Sequence, residues 1–65
     1  MILVAQARIE VQNQHGEWRY HTSVTIAGPS VKHALDAALR SPLGRASGKA
    51  RALDENGAVI DIATR

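Results

Sequence analysis

The sequence predicts a small two-layer α+β domain in the order ββαββ, with one helix packed on one face of a four-stranded, mainly antiparallel sheet. Three observations carry this expectation. Two pairs of segments alternate apolar and polar residues with period two, each pair joined across a glycine-containing turn. A segment between the pairs repeats its apolar residues at helical spacing. The chain has 65 residues, 45% of them apolar and 22% charged, which suits one domain over residues 1–65 and leaves no room for a linker.

The first strand is expected from about Ile2 to Gln12, where Leu3, Ala5, Ala7, Ile9 and Val11 alternate with Gln6, Arg8, Glu10 and Gln12. The second is expected from about Glu17 to Ile26, with Trp18, Tyr20, Thr22, Val24 and Ile26 on one face. Asn13-Gln14-His15-Gly16 reads as a four-residue turn pairing Gln12 with Glu17. That register sets Val11 against Trp18 and Ile9 against Tyr20, so both rings join the core. On the other face it pairs Glu10 with Arg19 and Arg8 with His21.

Gly28-Pro29-Ser30 breaks the strand and starts a helix, with Ser30 as N-cap, or Gly28 as cap and Pro29 in the first turn. Val31, Ala34, Leu35, Ala38 and Leu39 form one stripe, whose two alanines let the helix lie close to a sheet. Asp36 and Arg40 are spaced for an i, i+4 pair, and Ser41-Pro42 ends the helix. Leu43–Gly48 reads as a loop.

A second hairpin follows, with strands near Lys49–Leu53 and Ala58–Ala63 around Asp54-Glu55-Asn56-Gly57. An Asn-Gly type I′ turn would set Leu53 against Ile60 and Arg51 against Ile62. A three-residue loop with a glycine bulge would align Ala50 and Ala52 with Ile60 and Ile62 and put Leu53 and Val59 on the other face. The second is preferred because it keeps Arg51 out of the core.

Eleven of the 29 apolar residues are alanines, so the core depends on 15 Ile, Leu and Val residues. The expectation is marginal stability, or stability shared with a partner chain. Absence of cysteine excludes disulfides, thiolate metal sites and thiol nucleophiles. The longest apolar run, Met1–Ala5, is too short to span a bilayer and lacks a basic leader or cleavage pattern; a cytoplasmic protein without a signal peptide is expected.

No constellation points to catalysis. His15, His21 and His33 have spacings of six and twelve residues that match no common metal-ligand pattern, so no metal or cofactor is expected. Serines, histidines and aspartates suffice for a triad on paper, but so small a two-layer fold has little space for a substrate cleft. Glu10 and Glu17 fall on an open sheet face, poorly placed for the burial that would raise a carboxyl pKa for glycosidase chemistry. Gly44-Arg45-Ala46-Ser47-Gly48-Lys49-Ala50 has its glycines one residue too close for a phosphate loop, Ala50 where Ser or Thr would bind magnesium, and a strand following it.

Charge offers the one functional signal. The formal balance is only +2, but Arg40, Arg45, Lys49 and Arg51 come in succession with no acid among them. Such a segment can neutralise phosphates, its glycines letting Arg45 and Lys49 adapt, or can be a solvated connection. The sequence expectation is a small non-catalytic binding module that contacts nucleic acid through Arg8, Arg19, Arg45, Lys49 and Arg51. Duplex DNA is preferred, since RNA-binding sheets expose aromatic rings and both rings here are expected inside. The competing expectation is a protein-interaction or homodimeric module, with Ile2 and Val4 on an apolar sheet edge.

Overall fold

A computed structural model describes residues 5–26 and 29–64. It is the expected small α+β domain: β1 (Gln6–Gln12), β2 (Trp18–Thr25), α1 (Ser30–Arg40), α2 (Pro42–Ser47), β3 (Lys49–Leu53) and β4 (Val59–Thr64). The strands form one sheet in the order β2-β1-β3-β4, and every neighbouring pair is antiparallel. The expected strand start at Ile2, the interface residues Ile2 and Val4, and the alternative cap Gly28 lie outside the described residues.

Both hairpins close with one device. Asn13 and Glu17 flank a three-residue loop, as do Asp54 and Ala58. The Asn13 N–H donates to the Glu17 carbonyl at 2.7 Å, and the Asp54 N–H to that of Ala58 at 2.9 Å. Asn13 Oδ1 accepts from the amides of His15 and Glu17; Asp54 Oδ1 accepts from those of Asn56 and Ala58. The last loop residue is Gly16 or Gly57, at φ 83° and 82°, a left-handed conformation that costs other L-residues about 1–2 kcal/mol.

This device matches the expectation for the second hairpin and corrects the first. The first loop holds three residues rather than four, so Gln12 opposes Trp18 and Glu10 opposes Tyr20. A one-residue change of register moves side chains to the opposite face. Trp18 and Tyr20 therefore leave the core face, and the expected pairs Glu10–Arg19 and Arg8–His21 do not form. A bulge at His21 restores the parity, returning Thr22 and Val24 to the core side opposite Ile9 and Ala7.

In the second hairpin Ala50 and Ala52 face the core while Arg51, Leu53 and Val59 face away, as expected. The isoleucines do not follow. A second bulge at Ile60 sets Ala52 against Asp61 and Arg51 against Ile62, leaving Ile60 43% and Ile62 58% exposed.

The core lies between one sheet face and α1, which contacts all four strands. Ala7, Ile9, Val11, Ala50 and Ala52 meet Leu35, Ala38 and Leu39, with Val24, Val31, Ala34 and Ala63 at the margin. With alanine on both sides of this layer the helix sits too near the sheet for an indole, consistent with Trp18 lying on the other face. The helix begins at Ser30, with Pro29 in the cap position and no side-chain cap, so the expected Ser30 cap is not formed. Asp36 and Arg40 make no ion pair within 4 Å among the described residues.

The expected Leu43–Gly48 loop is instead the helix α2. Ser41 caps it, Oγ accepting from the Gly44 amide at 3.2 Å; Pro42 starts it, and left-handed Gly48 ends it. Gly44 is buried against α1, where a Cβ would collide with the Ala38 carbonyl oxygen and lie 2.7 Å from Leu39 Cα. The segment is thus docked, and its glycines are not the adaptable joints expected from the sequence.

Candidate nucleic-acid interface

Neither helix covers the second sheet face, and period-two alternation fixes what it carries. β1 contributes Gln6, Arg8, Glu10 and Gln12; β2 contributes Trp18, Tyr20, Ser23 and Thr25; β3 contributes Lys49, Arg51 and Leu53; β4 contributes Val59 and Ile62. The central row reads Tyr20, Glu10, Arg51, Ile62 across the four strands.

Arg51 organises this row. Its Nη2 lies 2.7 Å from Glu10 Oε1, and its Nε donates to the same oxygen at 2.9 Å. Both side chains are largely covered, at 26% and 13% exposure, so the pair is less screened than an ordinary surface bridge. The Arg51 guanidinium carbon also stands 4.3 Å from the Trp18 ring centroid, the contact spanning β1 from β3 to β2. Arg8 repeats the arrangement more loosely, 5.5 Å from the centroid of Tyr20. Tyr20 is 59% exposed, and its hydroxyl is hydrogen-bonded to Ser23 Oγ at 3.0 Å. The face therefore presents two aromatic rings, each with an arginine beside it, and three cations against one neutralised acid.

Of the residues singled out from sequence, Arg8, Lys49 and Arg51 share this face. Arg19 does not: it opposes buried Val11 on the helix side of the sheet and pairs with Glu17 at 3.5 Å, both side chains well exposed. Arg45 stands on α2, beside a shallow depression of about 390 Å³ lined by Asp36, Leu39, Arg40 and Thr64. The basic run from Arg40 to Arg51 is thus divided between α1, α2 and β3. Trp18 and Tyr20 are the site residues the sequence reading missed. The signal was present, because Asn13-x-x-Gly16 repeats the spacing of Asp54-x-x-Gly57.

A second depression, about 450 Å³, lies where Gln6, Arg8, Ser23 and Leu53 meet Asp54, Glu55 and Asn56. The acids there give that end of the face mixed charge. Among the described residues no three His, Asp or Glu side chains are grouped to hold a metal, and no helix is long and apolar enough to cross a membrane. Comparisons with protein-family models, with curated proteins and with solved structures give no match to this chain.

Proposed function

We propose that this protein is a small non-catalytic binding module whose uncovered sheet face contacts nucleic acid. The observation that carries the reading is that Arg8 stands beside exposed Tyr20 and Arg51 beside half-buried Trp18, with Lys49 on the same sheet face, which neither helix packs against. Cations supply counterion release along a phosphate backbone, and rings supply a surface for bases. The small core supports a non-catalytic role, since excavating a substrate cleft would remove much of it. Arg19 and Arg45, on other surfaces, drop out of the site.

The test is a two-dimensional amide NMR titration with a short oligonucleotide at low salt, run with the single strand and again with its duplex. Salt-reversible shifts at Arg8, Glu10, Trp18, Tyr20 and Arg51, with His33, Asp36 and Ala37 on α1 unmoved, are expected. A spectrum unmoved by both forms contradicts the reading, and shifts centred on Arg45 relocate the site to the helix side.

A second reading, self-association, is favoured by β4. This edge strand exposes Val59, Ile60 and Ile62 at 47%, 43% and 58%, and apolar edge strands invite pairing with another chain. Asp61 is the one charge within it. Sedimentation at rising concentration separates the readings: a dimer that Ile60→Lys converts to monomer supports assembly through β4, and a monomer throughout rejects it.

A further inference from the structure

Taking the open face as a nucleic-acid surface, we infer that its ligand is a single-stranded polynucleotide with unpaired bases, rather than a duplex. This rests on the proposed function and narrows it. Width is the first reason. Four strands spaced about 4.8 Å apart make a face roughly 14 Å across before side chains are counted, whereas the DNA major groove, about 12 Å wide, admits a helix or a two-stranded ribbon.

Charge at the tips is the second reason. A hairpin entering a groove leads with its turn, and here the turns carry Glu17 in one hairpin and Asp54 with Glu55 in the other. Each would bring carboxylates toward phosphates. The positive charge lies on the flat of the sheet, where a splayed strand can reach it.

The third reason is the position of the rings. A duplex hides base faces in its stack, so exposed rings on a sheet gain nothing from it, while an unpaired base can stack on them. Tyr20 has more than half its surface free. Trp18 is covered on one side by the Arg51 guanidinium, itself a planar surface that bases stack on. Lys49 lies on β3, two strands from Trp18 and Tyr20, a strand separation of roughly 10 Å that lets a backbone run past Lys49 with its bases laid across β1 toward the rings, while the Arg51 guanidinium reaches across β1 to Trp18. Asp54 and Glu55 beside Arg8 bias the phosphates toward the Lys49 end.

The experiment compares a fluorescein-labelled, short mixed-sequence DNA strand with the same strand annealed to its complement, by anisotropy at low salt, on wild type, Tyr20→Leu and Lys49→Ala. Leucine keeps the apolar bulk at an exposed position, and circular dichroism confirms that each variant is folded. The single strand is expected to bind at least roughly 10-fold more tightly than the duplex, and Tyr20→Leu to weaken it by roughly 5- to 150-fold, the span of one base–aromatic stack. Trp18 is the sole tryptophan, so quenching of its emission by unlabelled strand reports stacking independently of the variants. Lys49→Ala should weaken binding and reduce the salt slope, roughly 0.7 per phosphate contacted for a single strand. Equal affinity for both forms, with Tyr20→Leu and Trp18 emission unaffected, overturns the single-strand inference while the nucleic-acid reading stands. Binding to neither form overturns both.

Discussion

Replacing Gly44 with alanine tests the docking of α2, and its sign is opposite to the usual one. On an undocked helix, Gly→Ala stabilises by about 1 kcal/mol, and in a compliant loop by about 0.4–1 kcal/mol. Here the added methyl would overlap the Ala38 carbonyl oxygen and lie 2.7 Å from Leu39 Cα and 2.9 Å from Ala38 C. All three are backbone atoms, so no side-chain rotation relieves the contact. Ordinary carbon–carbon separation is about 3.5–4.0 Å, so α2 must withdraw from α1 by about 1 Å. Because every clash is with backbone, the upper part of the overpacking range applies, about 2–3 kcal/mol, and subtracting about 1 kcal/mol of helix-propensity gain leaves roughly 1–2 kcal/mol of net destabilisation. At about 4–8 °C per kcal/mol for a domain of this size, the expected fall in Tm is roughly 5–15 °C. Thermal unfolding followed by far-ultraviolet circular dichroism reads it directly. A Tm equal to wild type or higher would refute the packing of α2 on α1 and restore the loop expected from sequence.

Three other perturbations have defined outcomes. Gly57→Ala should lower stability by about 1–2 kcal/mol through its φ of 82°, with no steric contribution because nothing lies within 4 Å; a stabilised variant in urea denaturation would contradict the turn geometry. Leu35→Ala, at a position 1% exposed, should cost about 2–5 kcal/mol against a total near 3–10 kcal/mol for a chain this short; an unchanged thermal midpoint would contradict the core. Glu10→Gln removes the anionic partner of Arg51 and should cost roughly 1 kcal/mol. The same change should strengthen oligonucleotide binding at low salt by removing the face's own carboxylate, and weaker binding in anisotropy would contradict the charge account.

The elements were legible because their signals are local and redundant. Period-two alternation marks β1 and β3, and the Val31–Leu39 stripe marks α1, whose Leu35, Ala38 and Leu39 are buried as its spacing requires. The Lys49–Leu53 strand and the three-residue loop after it also followed, since keeping Arg51 out of the core left one acceptable register. What failed were counts of one residue. Reading Asn13–Gly16 as a four-residue turn gave a register in which every β2 apolar residue pointed inward, and that pattern outweighed the Asn13-x-x-Gly16 spacing shared with Asp54-x-x-Gly57. The true pattern is a shorter loop followed by a bulge at His21, two parity changes that cancel beyond Tyr20 and leave the rings between them on the outer face. In β4 the bulge at Ile60 acts likewise on Ile62. α2 was missed because Gly44 and Gly48 argue against a helix locally, and the tight contact with Ala38 and Leu39 that calls for Gly44 is tertiary. The placement of Arg8 and Arg51 away from the core followed from alternation along β1 and β3, whereas that of the rings depended on the register.

Everything proposed for the open face depends on which side of the sheet carries Trp18, and nuclear Overhauser contacts of its indole protons settle this most directly. With Gln12 opposite Trp18, the indole should contact the Arg51 side-chain methylenes, and its ring current should move those methylene resonances upfield. Indole contacts to the methyl groups of Val11 and Leu35 would instead place the ring in the core and contradict the account.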